Sequence, residues 1–186
     1  MTAPAYPKPS GMMTDKTMLI TAAAGSGIGG ATARRAAEEG ARLFLSDTHE
    51  RRLNETADAI AAAGHPRPEV AVCDVTDETQ VQATVTAAIE RLGYIDVLVN
   101  NAGLGGATSI VEMTDQQWSS VLDVSLTSVF RMTRAILPHF YAQGSGVIVN
   151  NASVLGWRAQ KLQAHYAAAK AGVMAFTRCA AMEAAE

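Results

Sequence analysis

The stretch TMLITAAAGSGIGG, residues Thr17–Gly30, joins a short apolar run to a glycine-rich turn. Short apolar runs of this kind are typical of strands buried in a parallel sheet. Residues 31–39 follow as an alanine-rich segment and predict a helix. The glycines let the backbone bend sharply and approach a ligand, and the amides at a helix start can face a pyrophosphate. The stretch therefore predicts a dinucleotide-binding turn, although a glycine turn that only packs a helix on a strand has the same pattern.

Predicted strands and helices alternate along the rest of the chain. Further strands are expected at residues 42–46, 69–73, 95–99 and 146–151, and helices at 49–63, 77–92, 115–137 and 164–185. This alternation predicts an α/β fold, a doubly wound parallel sheet of Rossmann type with right-handed crossovers and helices on both faces. The expected strand order is 3-2-1-4-5, with a ligand cleft at the carboxyl ends. Pro138 is expected to kink or end the helix that contains it.

Composition excludes several classes of partner. The 186 residues carry a formal net charge of -3 and no run of Lys or Arg, so neither nucleic acid nor a membrane surface is an expected partner. Cys73 and Cys179 have no metal-ligand spacing, and we expect reduced core thiols and no metal site. Residues 1–15 contain three prolines and no continuous apolar segment, which predicts a disordered tail and a cytoplasmic protein.

Three residues near the end of the chain suit proton transfer at an alcohol oxygen. Tyr166 and Lys170 are four residues apart on a predicted helix, so their side chains share one face. A nearby ammonium favours the phenolate form of a tyrosine, which suits general acid/base work. Ser153, at the end of the preceding strand, could hold the same substrate oxygen by a hydrogen bond. Taken alone, however, Tyr-x-x-x-Lys is most often an ordinary helix surface.

Asp47 ends the second predicted strand, twenty residues after Gly27. A carboxylate there can accept hydrogen bonds from the adenosine ribose hydroxyls and would repel a 2′-phosphate, so NAD is favoured over NADP. Two alternatives stay open. Asp47 could instead cap the helix that begins near Thr48, and Arg51 or Arg52 could reach a phosphate.

Together, the glycine turn, the unchanged Asn100-Asn101-Ala102-Gly103 element and the Ser153, Tyr166 and Lys170 set resemble a short-chain dehydrogenase/reductase, from about Lys16 to the last residue. The resemblance implies a nicotinamide cofactor. The residues it assigns to the cofactor are Gly25, Ser26, Gly27, Ile28, Gly29, Asp47, Asp74, Val75, Asn101, Ala102, Gly103, Tyr166 and Lys170. Asp74 and Val75 match the family's position beside the adenine ring, although an aspartate before Thr76 could equally belong to a local turn.

The chain departs from the family pattern in three places. Ala23 stands where the first glycine of the family's turn is expected. Ser125 stands where a catalytic asparagine is common, and because serine is shorter and has no amide, a water would have to complete that proton relay. The chain also ends in the helix after the fifth strand, where the family continues, so residues 16–186 are expected to be a truncated domain.

The expected function is NAD-dependent hydride transfer between a secondary alcohol or ketone and the nicotinamide, with Tyr166 as general acid/base. The segment NNASVLGWRAQ, residues 150–160, is similar in sequence to the corresponding segment of bacterial short-chain dehydrogenases that act on ring hydroxyls of CoA-linked steroid remnants. Two alternatives remain: an NADPH-dependent 3-oxoacyl-type ketoreductase, and a dinucleotide-binding or dimerising protein without turnover. The resemblance also implies a homodimer or homotetramer joined through the helices at 115–137 and 164–185.

Overall fold

The computed structural model describes residues 5–185 and contains a five-stranded parallel sheet. Its strands are β1 (Thr17–Thr21), β2 (Arg42–Asp47), β3 (Glu69–Val72), β4 (Val97–Asn100) and β5 (Val147–Asn150). Their order is β3-β2-β1-β4-β5, and every neighbouring pair is parallel. The predicted fold class and strand order are therefore confirmed.

Helices cover both faces of this sheet. They are α1 (Ile28–Glu38), α2 (Glu50–Ala62), α3 (Glu78–Leu92), α4 (Asp115–Leu122), α5 (Ser128–Gln143) and α6 (Ala164–Glu183). Successive residues of a strand point to opposite faces, so Leu19 joins the core under α3 and α5 while Ile20 joins the core under α1 and α2. Both side chains are fully buried. An alternating strand thus supplies two cores, which is why β1 can be apolar throughout.

The helix predicted at 115–137 is interrupted and runs further than expected. A π-helical turn, Asp123–Thr127, separates α4 from α5. The helix then continues through Pro138 to Gln143 and ends at Gly144, whose φ of 74° is the left-handed cap that glycine adopts readily. Pro138 removes one backbone donor, but the buried Ile136 and Phe140 on either side pack against the sheet. The alternative that Pro138 ends the helix is wrong.

The two cysteines have different environments. Cys73 is buried, and this burial raises the pKa of its thiol. Cys179 is exposed, so the expectation of a core thiol is wrong at this position. It lies on the last turns of α6, where the helix presents several small or apolar residues to the outside, including the exposed Met182. Apolar residue type alone therefore did not predict which face of α6 is buried.

The segment before β1 lies against the end of α1. The backbone N–H groups of Ser10 and Met12 donate to the buried carboxylate of Glu39, at 2.9 and 3.1 Å. Tyr6 donates through its hydroxyl to Glu38. These contacts differ from the disordered tail expected at residues 1–15, of which the first four lie outside the described residues. None of the helices between residues 5 and 185 has the length and hydropathy needed to cross a membrane.

Candidate active site

The glycine turn leaves an open, uncapped helix start at the carboxyl edge of β1. Gly27 is the N-cap of α1, and the first turn has neither a side-chain cap nor an acidic residue. Free N–H groups at such a start attract anions. A Cβ added to Gly25 or Gly27 would meet no atom within 4 Å, whereas one added to Gly29 or Gly30 would collide with the backbone of the turn. Gly29 and Gly30 therefore allow the helix to pack closely on the strand. The space over Gly25 and Gly27 is open and leaves room for a phosphate group.

The two alanines that follow β1 differ in backbone conformation. Ala23, at the expected position of the family's first glycine, is fully buried and does not have a positive φ, so alanine is acceptable there. Its neighbour Ala22 has a φ of 51°, in the left-handed region that favours glycine.

Asp47 lies beside the turn, at the end of β2. One carboxylate oxygen accepts a hydrogen bond from the backbone N–H of Ala24 at 3.0 Å, and the other accepts from the N–H of His49 at 3.0 Å. The N-cap of α2 is His49, so Asp47 is not its capping residue. Since each carboxylate oxygen can accept more than one hydrogen bond, Asp47 keeps acceptor capacity toward the cleft.

A cleft of about 570 Å³ opens along the carboxyl ends of the strands, and five of the residues assigned to the cofactor line it. They are Asp47, Asp74, Val75, Ala102 and Gly103. Asp74 also makes the local turn considered above, since its Oδ1 accepts from the N–H and the hydroxyl of Thr76 at 2.9 and 2.7 Å. The lining role and the turn are therefore compatible.

Asn101 ties the glycine turn to the centre of the sheet. Its side-chain amide donates to the carbonyls of Thr21 and Ala22, at 3.2 and 3.0 Å. Its backbone N–H donates to the hydroxyl of Thr21 at 3.0 Å. Gly103 lies next to the acid/base residues, because a Cβ built on it would be 3.6 Å from Lys170 Nζ. The Asn101–Gly103 element thus connects the cofactor turn with the reacting side of the cleft.

Tyr166 and Lys170 occupy the first turns of α6, as the sequence predicts. The Lys170 Nζ lies 5.6 Å from the centroid of the Tyr166 ring and donates to the backbone carbonyl of Asn151 at 2.6 Å. Lys170 is only 3% exposed, and this burial lowers its pKa. Within residues 5–185, the Tyr166 hydroxyl makes no hydrogen bond to another side chain or to the backbone, which leaves it available to a bound molecule.

Ser153 follows β5 on the same edge of the sheet. It is the N-cap of a short 3₁₀ turn, Val154–Gly156, and its Oγ accepts from the backbone N–H of Leu155 at 3.2 Å. The hydroxyl proton is free of that bond and can be donated to a substrate oxygen. The local turn therefore orients the side chain without using its donor.

Ser125 lies near Lys170 across Gly103, since a Cβ built on Gly103 would be 3.9 Å from Ser125 Oγ and 3.6 Å from Lys170 Nζ, but its hydroxyl is bonded to a loop. It is fully buried in the π-helical turn, and its Oγ both accepts from the N–H of Leu104 and donates to the carbonyl of Leu104, each at 2.8 Å. π-helical turns occur often at functional sites. The serine thereby fixes the loop after Gly103 by satisfying both backbone groups of one residue.

Sequence reasoning assigned no role in this site to Asn151. Asn151 pairs with Asn101 and accepts from Lys170; the repeated Val-Asn-Asn-Ala at 99–102 and 149–152 was a signal that the two strand ends are alike. His165 is buried beside Tyr166, and its Nδ1 accepts the Tyr166 backbone N–H at 2.9 Å. A Cβ on Gly106 would lie 3.0 Å from His165 Nε2, so a larger residue there would require the His165 ring to shift.

Comparison with known proteins identifies the family to which this chain belongs. Residues 16–186 match the family model of the short chain dehydrogenases. A Mycobacterium tuberculosis protein named (5R,7aS)-5-hydroxy-7a-methyl-1-oxo-2,3,5,6,7,7a-hexahydro-1H-indene-carboxyl-CoA reductase is 63% identical over 177 residues, which are 95% of this chain and 68% of that relative. This chain thus spans about two thirds of that relative's length.

Solved structures show the same likeness. A short chain dehydrogenase from Mycobacterium smegmatis superposes with a TM-score of 0.97 at 59% identity, covering 100% of this chain and 78% of the other. A xylitol dehydrogenase solved with bound NAD⁺ gives a TM-score of 0.89 at 33% identity, covering 94% of this chain and 66% of the other. The family model and the close relative together establish the family.

Proposed function

Because the chain belongs to the short-chain dehydrogenase family of oxidoreductases, which use nicotinamide cofactors, we propose that it transfers hydride between a secondary alcohol or its ketone and NAD. The observation that carries the proposal is the placement of a buried ammonium, Lys170 Nζ, 5.6 Å from the Tyr166 ring at the carboxyl edge of the sheet. A buried lysine beside a tyrosine that has a free hydroxyl suits general acid/base chemistry better than a helix surface does.

Each polar group then has one task in alcohol oxidation. Tyr166 takes the hydroxyl proton of the alcohol as the O–H bond breaks, and Lys170 stabilises the phenolate that accepts it. Ser153 donates a hydrogen bond to the same substrate oxygen and holds it in place. A nicotinamide held in the cleft would supply the hydride acceptor for alcohol oxidation and the hydride donor for ketone reduction. In the reduction direction Tyr166 returns its proton to the oxygen.

We propose Asp47 as the residue that selects NAD. Its carboxylate lines the cleft beside the uncapped start of α1 and is held by the N–H groups of Ala24 and His49. A fixed negative charge there accepts ribose hydroxyls and repels a 2′-phosphate. Arg51, a possible counter-charge, is paired with Glu55 at 2.7 Å on the exposed face of α2. The local charge therefore supports NAD over NADP.

The substrate we propose is a hydroxylated or oxidised ring carried on a CoA thioester. The M. tuberculosis relative is named for a bicyclic ring substrate of this kind. In this chain the loop between Ser153 and Tyr166 carries an exposed Trp157, 78% accessible, with Arg158 and Lys161 also exposed. An apolar aromatic surface flanked by two cations suits an apolar ring joined to the anionic phosphates of CoA.

Replacing Tyr166 by Phe tests the proposed chemistry. The variant should lose at least about a thousandfold in turnover of the ring alcohol, since the acid/base group is gone, while NADH affinity stays within about twofold because the ring remains. NADH absorbance measures turnover, and calorimetry measures binding. Tyr141→Phe, an exposed tyrosine of α5 outside the cleft, is the matched control and should keep parental activity. Full activity in Tyr166→Phe would refute the assignment.

A further inference from the structure

Two asparagine pairs end the neighbouring strands β4 and β5. The strand register sets Asn100 opposite Asn150, and the next residues, Asn101 and Asn151, follow on the other face of the sheet. Side-chain amides join the strands at both levels, with Asn100 donating to Asn150 at 2.9 Å and Asn151 donating to Asn101 at 3.0 Å. The two pairs are chemically alike but serve different faces.

The pair formed by Asn101 and Asn151 leads from the glycine turn to the acid/base lysine. Asn101 donates through its amide to the carbonyls of Thr21 and Ala22 and accepts from Asn151 on its Oδ1. Asn151 in turn offers its backbone carbonyl to Lys170 Nζ at 2.6 Å. These bonds form one continuous chain across β1, β4 and β5 to α6.

The other pair ends away from the site. Asn150 donates through its amide to the hydroxyl of Thr177 at 2.9 Å, and Thr177 donates to the carbonyl of Val173 within α6. This pair ties β5 to α6 as the first pair does. It makes no hydrogen bond to Lys170, so the adjacent asparagines Asn150 and Asn151 differ in their contacts with α6.

We propose that Asn151 is a positioning residue for Lys170, acting through its amide bond to Asn101, and this inference rests on the proposed role of Tyr166 and Lys170. In the described residues, the Asn151 carbonyl is the hydrogen-bond acceptor of the Lys170 ammonium. β5 ends at Asn150, and two bonds hold Asn151 to β4: its N–H to the carbonyl of Asn100 at 2.9 Å, and its side-chain amide to Asn101. Removing the amide leaves one of these and frees the carbonyl to rotate.

The burial of Lys170 makes the position of that carbonyl matter. A buried ammonium without a well-placed acceptor is costly, so the side chain shifts when its acceptor shifts. A displaced ammonium no longer favours the Tyr166 phenolate as strongly. A misplacement of about 1 Å at a reacting group can lower a rate by roughly a hundredfold. Loss of the amide should therefore lower kcat and change its pH profile.

The test compares Asn151→Ala with Asn150→Ala, and Asn151→Ser serves as a second variant in case the alanine variant does not fold. The first readout is the split between kcat and KM for NAD-linked oxidation of the ring alcohol. The second is the pH profile of kcat. Tyr166-dependent turnover of the parent is measured first, so failure of the proposed function and failure of the inference give different results.

We expect Asn151→Ala to lower kcat roughly tenfold to a hundredfold, to leave KM within about twofold, and to move the pH profile of kcat toward higher pH. Asn151→Ser should lie between this variant and the parent. Asn150→Ala should lower the melting temperature without changing kcat or its pH profile. Equal kcat values and pH profiles in the parent, Asn151→Ala and Asn150→Ala would overturn the inference, whereas a parent without Tyr166-dependent turnover would overturn the proposed function.

Discussion

Ala22 carries a backbone conformation that glycine adopts more easily. Its φ of 51° places an L side chain in the left-handed region, at a cost of roughly 1–2 kcal/mol. Ala23, the next residue, has no such conformation and is fully buried. The Ala22 conformation is therefore a local cost in stability, and the space over Gly25 and Gly27 is open.

Ala22→Gly should stabilise the protein by about 0.5–1 kcal/mol, since relief of the strained backbone exceeds the extra freedom that glycine gains in the unfolded state. Ala23→Gly is the matched control and should destabilise it by about 1 kcal/mol, because it loses buried side-chain contact and gains only that freedom. Urea unfolding measures both. A loss of stability in Ala22→Gly equal to that in Ala23→Gly would contradict the account.

Single residues also show where sequence reasoning stops. The spacing of Tyr166 and Lys170 predicted a shared helix face because helical periodicity is fixed by the backbone, and the structure has that face. The partners of Ser125 and Lys170 were not predictable in this way. Leu104 and Asn151 come from other loops and meet these side chains only after the sheet has formed. That Tyr166, Lys170 and Ser153 act in catalysis stays a prediction until the Tyr166 variant is assayed.

At the scale of elements, Asp96 joins the start of β1 to the segment before β4. Its carboxylate accepts from the N–H and the hydroxyl of Thr17, at 2.8 and 3.1 Å, and from Lys16 Nζ at 3.2 Å. Burial alone would raise the pKa of Asp96, but the hydrogen bonds from Thr17 and Lys16 outweigh it and lower that pKa. The ionised form is therefore the one that the fold stabilises.

Asp96→Asn should cost roughly 1–2 kcal/mol at pH 7, because the charge-assisted bonds are lost. A pKa that is lower in the folded state than in the unfolded state gives stability above about pH 4, which disappears as the pH falls through the folded pKa. The gap between variant and parent should accordingly shrink between about pH 4 and pH 2. Thermal unfolding across this range measures it, with the exposed Glu55→Gln as control. A gap that stays constant down to pH 2 would refute the role.

Elements were predictable to different degrees for physical reasons. Strands and helices on both faces followed from apolar runs and alternation, since each buried strand needs a continuous apolar stretch. The π-helical turn Asp123–Thr127 was not predictable, because one extra residue in a helical turn leaves no mark on composition. The continuation of α5 past Pro138 was missed because packing of Ile136 and Phe140 overrides a local breaking signal.

At the scale of the whole molecule, α4 and α5 each expose an aromatic residue, and the exposed ring on α5 packs against α6. Phe130 of α5 meets Phe176 of α6 edge to face, with ring centroids 6.3 Å apart, and Trp118 of α4 is also partly exposed. Exposed aromatic side chains at this density are typical of interfaces. We expect a dimer through these helices. Sedimentation velocity should show that Phe130→Asp halves the mass of the parent assembly, and a parent that sediments as a monomer would contradict the expectation.

The site as a whole depends on one edge of one sheet. The uncapped start of α1, the carboxylate of Asp47 and the Tyr166–Lys170 pair all lie at the carboxyl ends of parallel strands, where an open α/β sheet binds its ligand. The position of the site follows from the topology of the sheet. The preference for NAD over NADP follows from the single negative charge of Asp47. A binding measurement therefore tests both together.

The most direct measurement is a calorimetric titration of the purified chain, at verified intact mass, with NADH and then with NADPH, in parallel with Asp47→Ala. We predict that NADH binds at least about tenfold more tightly than NADPH, and that Asp47→Ala removes most of this difference. Tighter binding of NADPH by the parent would contradict the assignment of Asp47. Absence of binding by either dinucleotide would contradict the proposal that this chain carries a working cofactor site.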